Sequence, residues 1–291
     1  MKFRFIYFVD DEFPNPLDMM TESILIVGGT GKVGRRVDDK LIELGKQTTI
    51  ASRKIHPYFD WSDSTTWRET LKGHKQAFVT YFPDLFVEQS AQDIQLFCDM
   101  AKEVGLKHIV LLSGRRESGA ERAENILRQS GLTWNILRCS WFNQNFSENF
   151  LYDGVTAGEI VLPISDVKEP FIDVNDIAEV AVKVLADPKY ENELFELTGP
   201  ELLSFHDLAE KFSEKLNKEV RFTSVSLDDY RAILQKEGVS SIFVTMLMTL
   251  FKEVFDGRNE MTTNELEKML DDQPTTFDAF ITQSITQGVW Q

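Results

Sequence analysis

Residues 23–36 read SILIVGGTGKVGRR, a short apolar run that leads directly into a cluster of glycines. A helical pattern of apolar residues follows and stops at Gly45, and a second apolar run covers residues 48–51. Strand, glycine turn, helix and strand in this order begin a dinucleotide-binding unit. Glycines let a pyrophosphate approach the backbone, and the helix N-terminus offers it free N–H groups and a partial positive charge. The stretch therefore predicts an α/β protein that binds a nucleotide.

The glycines of this turn fit two spacings. Gly29, Gly31 and Gly34 give GxGxxG, whereas Gly28, Gly31 and Gly34 give GxxGxxG, the spacing of short-chain dehydrogenases. We prefer the second because of the sequence that follows it. The residues expected to bind the dinucleotide at this turn are Gly28, Thr30, Gly31, Lys32, Val33, Gly34 and Arg35.

From about residue 22 to residue 216 the chain resembles the NmrA-like group of atypical short-chain dehydrogenases. The motifs that carry the resemblance are GGTGKVGR at 28–35, ASR at 51–53, FDWSD at 59–63, VLLS at 110–113, SGLTW at 130–134, FIDV at 171–174 and LTGP at 197–200. This resemblance implies a Rossmann-type doubly wound parallel sheet with a smaller, mostly helical C-terminal lobe. Relatives of this type include quinone reductases, triphenylmethane-dye reductases, ergot-alkaloid iminium reductases and the nitrogen-regulatory protein that names the group.

The predicted body comprises residues 21–142 and 170–188, because strands and helices alternate there with short loops. The predicted lobe comprises residues 143–169 and 189–291, with a capping box at Ser204–Asp207. In the lobe, the apolar helix at 241–255 is either core or a lid over the substrate. Residues 1–20 form an extension that is non-native, flexible or a strand added to a sheet edge; no cleavage site for export appears in it.

NADP(H) is the predicted cofactor. An NAD-preferring site usually places Asp or Glu about 20 residues past the glycines, but the chain has no acidic residue between Leu44 and Phe59. Arg53 and Lys54 stand there instead, and Arg35 directly follows the last glycine. A guanidinium pairs with a 2′-phosphate, which a carboxylate would repel. The other basic residues of the helix, Arg36, Lys40 and Lys46, are expected on its solvated face.

Further cofactor contacts are expected where later strands end. The resemblance implies that Asp60 and Trp61, at the end of a predicted third strand, lie beside the adenine; the alternative is that Asp60 caps the helix that begins near Ser64. Tyr81 and Phe82 end the fourth strand, and the carboxyl ends of such strands face the ligand crevice.

The chain lacks the acid of catalytic short-chain dehydrogenases. None of its six tyrosines begins a Tyr-x-x-x-Lys motif, so the catalytic residues are unknown, with Ser113 and Tyr81 as weak candidates. Ser113 is also expected at the cofactor, and a hydrogen bond that caps the strand end is its alternative role. An alkoxide has a pKa of about 16, so ketone reduction without a placed acid is slow. The sequence favours quinone, iminium or activated-alkene reduction, or no catalysis.

The predicted substrate is a flat aromatic or cationic molecule. Trp141, Phe142, Asn143 and Asn145 follow the sixth strand, where the resemblance places the nicotinamide and substrate walls. Alternatively, Trp141 and Phe142 pack the lobe onto the body. Two functions remain open: an NADPH-dependent reductase, and a non-catalytic NADP(H)-sensing regulator that binds a protein partner.

Charge and composition exclude several other classes. The net charge is −16 and the isoelectric point is about 4.7, which argues against nucleic acid or an anionic membrane as partner. The histidines are scattered, so no metal is expected, and two cysteines form no disulfide framework. We expect a cytoplasmic protein without a transmembrane segment.

Overall fold

The structure is a computed structural model that describes residues 23–290. The predicted N-terminal extension lies outside the described residues. The strands are β1 Ile24–Val27, β2 Thr48–Ala51, β3 Gln76–Val79, β4 His108–Gly114, β5 Thr133–Cys139, β6 Glu159–Leu162, β7 Lys168–Glu169, β8 Glu193–Leu197, β9 Leu203–Ser204 and β10 Arg221–Ser224. The α-helices are α1 Lys32–Glu43, α2 Trp67–Leu71, α3 Gln89–Val104, α4 Ser118–Gln129, α5 Asn145–Glu148, α6 Tyr152–Ala157, α7 Val174–Ala186, α8 Phe205–Leu216, α9 Leu227–Lys236, α10 Ser241–Val254, α11 Glu265–Met269 and α12 Phe277–Thr286.

A six-stranded parallel sheet forms the body, in the order β2-β1-β3-β4-β5-β8. All four residues of β1 are apolar and buried, as expected for a parallel strand covered on both faces. One face carries α2, α3 and α4 and the other carries α1, α7 and α11. The predicted doubly wound Rossmann-type sheet is confirmed.

Two details of the body differ from the sequence analysis. The predicted third strand does not form: residues 52–63 make only isolated bridges, Ser52 to Ile55, Ser52 to Tyr58 and Asp60 to Asp63. Pro57 has no N–H to donate to a ladder, which disfavours regular pairing there. In addition, β8 completes the sheet and α11 packs on it, although both were predicted to belong to the lobe.

The lobe has its own core, rich in phenylalanine. Phe146, Phe171, Phe205, Phe212 and Phe277 contact one another edge to face or at a tilt. These geometries suit the quadrupoles of aromatic rings. The lobe is mostly helical, as predicted, and also contains two small sheets in which β6 pairs with β10 and β7 pairs with β9.

Local sequence patterns set the ends of the lobe helices. The predicted capping box at the start of α8 is confirmed: the Asp207 N–H donates to the Ser204 hydroxyl, and the Ser204 N–H donates to the Asp207 carboxylate. The predicted apolar helix is α10. None of the helices within residues 23–290 is long and apolar enough to cross a bilayer.

Phe146→Ala should lower the free energy of unfolding by about 3–5 kcal/mol, because it leaves a cavity among four aromatic rings. Phe146 is fully buried. The matched control is Phe150→Ala nearby, whose side chain is 39% exposed and whose loss should cost less than about 1 kcal/mol. Urea denaturation of the three proteins measures both values. Equal costs for the two variants would contradict the assignment of Phe146 to the lobe core.

Candidate functional site: the carboxyl edge of the sheet

The glycine turn joins β1 to α1. Gly28 has φ +78°, and a Cβ there would lie 1.9 Å from the Thr80 hydroxyl oxygen. A Cβ on Gly34 would lie 2.5 Å from the Gly28 carbonyl oxygen, so only glycine lets α1 sit this close to the turn. Gly28 and Gly34 thus have the roles of the first and last glycines in the GxxGxxG spacing.

The N-terminus of α1 is open for an anion. Gly31 is its N-cap residue, and no side chain within residues 23–290 caps it. Thr30 is exposed at the turn, whereas Val33 is buried in the body core. Lys32 is half-buried, and burial lowers its pKa, opposed by the nearby Glu148 carboxylate. Free N–H groups and a lysine at a helix N-terminus are the chemistry of a phosphate site.

The basic residues around the turn divide into two groups. Arg35 and Arg36 both bind the Glu148 carboxylate of α5, at 2.5 and 2.7 Å, and Arg36 also donates to the Asn175 amide oxygen at 2.8 Å. The prediction of a solvated Arg36 is therefore wrong, since only 17% of its side chain is exposed. Arg53 and Lys54 are exposed at the end of β2. Against the effect of burial, hydrogen bonds from Ser62 and Tyr58 and the charge of the nearby Arg53 lower the pKa of the Asp60 carboxyl.

Arg53 is held by an aromatic ring. Its guanidinium lies 4.1 Å from the centroid of Phe82, a cation–π contact worth about 0.5–1 kcal/mol when exposed. Phe82 in turn packs against Phe243 of α10, with centroids 6.2 Å apart. The ends of β2 and β3 and the lobe therefore meet at this point.

The side chains of Asp60 and Trp61 form hydrogen bonds within the body. The Asp60 carboxylate accepts from the Ser62 N–H and hydroxyl at 2.9 and 2.8 Å. Asp63, not Asp60, caps the following turn by accepting from the Thr65 N–H, so that alternative for Asp60 is wrong. Trp61 is only 7% exposed and donates its indole N–H to the Thr80 carbonyl. Their placement beside an adenine stays a prediction.

Neither weak candidate for a catalytic acid has a free proton. The Tyr81 hydroxyl donates to Asp93 at 2.6 Å, and burial together with this hydrogen bond raises the pKa of Tyr81. The buried Ser113 hydroxyl donates to Glu124 at 2.6 Å, and Glu124 also accepts from Arg138. These bonds fit the structural alternative for Ser113.

The four residues predicted to line the substrate diverge after β5. Trp141 is half-buried and packs on Phe255 of the lobe at 4.5 Å between centroids, while Phe142 packs on the body core. Asn143 is fully buried, with no hydrogen-bond partner for its side-chain amide among residues 23–290. Asn145 is half-buried at the start of α5. Trp141 thus packs on the lobe core and Phe142 on the body core, which agrees with the alternative that they join lobe to body.

Helix α10 lies over the carboxyl edge. Its Phe243 contacts Phe82 after β3, and its Phe251 lies 5.8 Å from Trp141 after β5. Val244, Met248, Phe251 and Val254 are buried, so one stripe of the helix belongs to the lobe core. A role of this helix as a lid stays a prediction.

Sequence reasoning missed two acidic residues at this edge. Asp84 follows β3 and Glu117 follows β4, the two central strands of the sheet. Burial raises the pKa of both carboxyls. Their position just beyond strand ends could have marked them, as it marked Tyr81. No group of His, Cys, Asp and Glu in the described part of the chain is arranged to hold a metal ion.

A buried arginine fastens the lobe to the end of β4. Arg115 is 1% exposed and binds Glu196 at 2.6 Å and the Asn259 carbonyl at 2.9 Å. Glu169 of β7 is equally buried, and desolvation raises its pKa to about 8 in spite of the attraction of Arg115. The Glu169 carboxyl therefore keeps its proton near neutrality.

A parallel sheet with a glycine turn at its carboxyl edge defines a Rossmann-type nucleotide-binding protein. More narrowly, the chain belongs to the NmrA-like family, whose model matches residues 58–281.

Similar proteins span nearly the whole chain. It is 31% identical to Prestalk A differentiation protein A of Dictyostelium discoideum, over 91% of this chain and 93% of that protein. It is 28% identical to agroclavine dehydrogenase of Claviceps fusiformis, over 92% and 98%. The fold matches an NADPH-dependent quinone oxidoreductase of Escherichia coli, solved with NADPH, at TM-score 0.76 and 20% identity over 90% and 99% of the two chains.

The free energy of unfolding should fall as the pH rises from about 4.5 towards 8, in part through Glu169. In the folded protein burial raises its pKa to about 8, from an ordinary value of 4.5. The folded state thus binds the extra proton in this range, and stability is lost as that proton leaves. Glu169→Gln should flatten the slope. Urea denaturation at several pH values measures it, and identical slopes in both proteins would contradict the assignment.

Proposed function

We propose that the protein is an NADPH-dependent reductase of a flat, electron-poor acceptor: a quinone, an iminium or an activated alkene. As an NmrA-like chain with dehydrogenase relatives, it is an oxidoreductase. The observation that carries the proposal is the pairing of the open glycine turn with Arg53, both at one sheet edge. The reduced nicotinamide, when bound, supplies a hydride.

The residues of the turn fit a dinucleotide. A Cβ on Gly31 would approach the Gly28 carbonyl to 3.1 Å, so the turn is shaped by glycines and leaves its backbone N–H groups accessible to a pyrophosphate. Arg53 supplies a cation at the place where a ribose 2′-phosphate is expected. Arg35 is the weaker phosphate ligand of the two, because Glu148 already neutralises it.

The acceptor class follows from which protons are free. The hydroxyls of Tyr81 and Ser113 donate hydrogen bonds to Asp93 and Glu124. Neither hydroxyl is therefore free to protonate an alkoxide. A quinone yields a weakly basic phenolate, and an iminium is neutralised by the arriving hydride. The Trp141 ring and the aromatic face of α10 offer a flat surface against which such an acceptor would be oriented.

The alternative is an NADP(H)-binding regulator without catalysis that contacts another protein. The observation in its favour is the similarity to a protein named for differentiation and not for a reaction, at 31% identity. Both proposals share the cofactor site, so they differ only in whether an acceptor is reduced.

NADPH should bind far more tightly than NADH, and Arg53→Ala should remove most of that preference. Losing a charged phosphate contact costs about 1.5–3 kcal/mol, or roughly 10- to 150-fold in affinity. Lys46→Ala is the control, because Lys46 is an exposed cation of the same segment outside the predicted phosphate site. Calorimetric titration of both cofactors decides; equal affinities for NADPH and NADH would contradict the NADP(H) assignment.

We expect at least one member of a panel of quinones, cyclic iminiums and triphenylmethane dyes to oxidise NADPH. The fall in NADPH absorbance measures this reaction. With that acceptor, Trp141→Ala should lower kcat/KM by more than tenfold, because it removes a wall that orients the acceptor. Tyr81→Phe and Ser113→Ala should each cost less than about tenfold in kcat, or 1.4 kcal/mol. If NADPH bound tightly but none of the acceptors in the panel oxidised it, the regulatory function would be favoured.

A further inference from the structure

A buried glutamate lies where the two central strands of the sheet end. Glu117 is the residue before α4 and is only 8% exposed. Its side chain folds back over Gly114, the last residue of β4: a Cβ on Gly114 would lie 2.3 Å from both carboxyl oxygens of Glu117. The missing side chain of Gly114 thus makes room for the carboxyl at the carboxyl edge of the sheet.

One oxygen of this carboxyl has no partner. Oε2 of Glu117 is buried and makes no hydrogen bond to any residue within 23–290. A buried ionised carboxylate in that condition would cost several kcal/mol. The neutral acid costs less and retains an O–H group at the carboxyl edge of the sheet.

Four other carboxyl groups act electrostatically on Glu117, and they come from different parts of the fold: Asp84 after β3, Glu253 of α10, Glu124 of α4 and Glu169 of β7. Two of them have cationic partners, since Glu124 binds Arg138 and Glu253 lies 3.7 Å from Arg258. Burial first, and then the negative charge of those groups that are ionised, raise the pKa of Glu117 well above its usual range. This environment therefore favours the protonated form of Glu117.

We propose that Glu117 is the catalytic acid that protonates a neutral acceptor whose reduction leaves a basic oxygen, an enone, during its reduction. This inference rests on the proposed reductase function and supplies the proton source that Tyr81 and Ser113 do not. It also names a preference within the acceptor class, because an iminium needs a hydride but no proton.

The step balances as follows for an enone. The β-carbon accepts a hydride from the reduced nicotinamide, the C=C π pair shifts to give an enolate, and the cofactor is oxidised. The O–H bond of Glu117 breaks, its proton goes to the enolate oxygen, and a carboxylate remains. Asp84, which is half-buried and has a raised pKa through burial, lies nearer to water and returns a proton to Glu117.

The first test compares two acceptors in Glu117→Gln. The amide keeps the size of the side chain but has no proton of this acidity to give. Turnover of the neutral acceptor should fall by about 10²- to 10⁴-fold, while reduction of a cationic dye or iminium should stay within about threefold, or 0.7 kcal/mol. Asp176→Asn is the matched control: Asp176 is also 8% exposed but binds Thr275 on the body, and both activities should persist.

The second test follows pH. In the unchanged protein, kcat on the neutral acceptor should fall as the pH rises through the pKa of Glu117, because the acid form is the active one. The Glu117→Gln variant should not show this fall of kcat with rising pH. Glu253→Gln removes one negative charge but retains an oxygen that accepts from the Ser118 N–H. In this variant the fall of kcat should occur at a lower pH. An infrared band of a protonated carboxyl, present at pH 7 and absent in Glu117→Gln, gives a readout without any acceptor.

The outcomes separate the two proposals. Equal losses on neutral and cationic acceptors, or no loss on the neutral one, would overturn the role of Glu117 and leave the reductase intact. An absent infrared band would do the same. If the unchanged protein reduced nothing while binding NADPH tightly, the reductase would fail and this role with it.

Discussion

The contact between α1 and the turn that precedes it is the constraint on which the site depends. Gly34 lies so close to the Gly28 carbonyl that even a methyl group would not fit. This closeness aims the N-terminus of α1 across the ends of β1 and β3, where Thr80 packs against the turn. The position of every later strand end is then set by the register of the sheet, since β1, β3, β4 and β5 pair in sequence.

The body could be predicted from sequence because its patterns are local. The glycine turn, the apolar run of β1 and the capping box of α8 each occupy a few consecutive residues, and all three formed as expected. The predicted third strand failed: residues 52–63 make only isolated bridges, and Pro57 has no N–H to offer to a ladder. The assignment of β8 failed for another reason: whether a strand joins the sheet depends on long-range packing that its five residues do not encode.

The site was predictable in part for the same reason. Arg53 could be placed from its distance to the glycines, and Tyr81 from its position at a strand end. What the sequence could not show was which polar groups are already bonded. Arg36 meets Glu148 of a distant helix, and Ser113 meets Glu124 eleven residues on. Glu117 was missed because its importance comes from burial and from neighbours on four separate elements.

The ring of Phe82 has a consequence for how the two ligands of such a site would communicate. On one side it supports Arg53, and on the other it touches Phe243 of α10. A phosphate that moves Arg53 away from the Phe82 ring would change the contact of this ring with α10. An acceptor that shifts α10 would in turn change the contact of the ring with Arg53. Thermodynamic reciprocity requires that each ligand then alters the affinity for the other by the same factor. The contacts of the Phe82 ring with Arg53 and Phe243 would thus couple the affinity for a cofactor to the affinity for an acceptor.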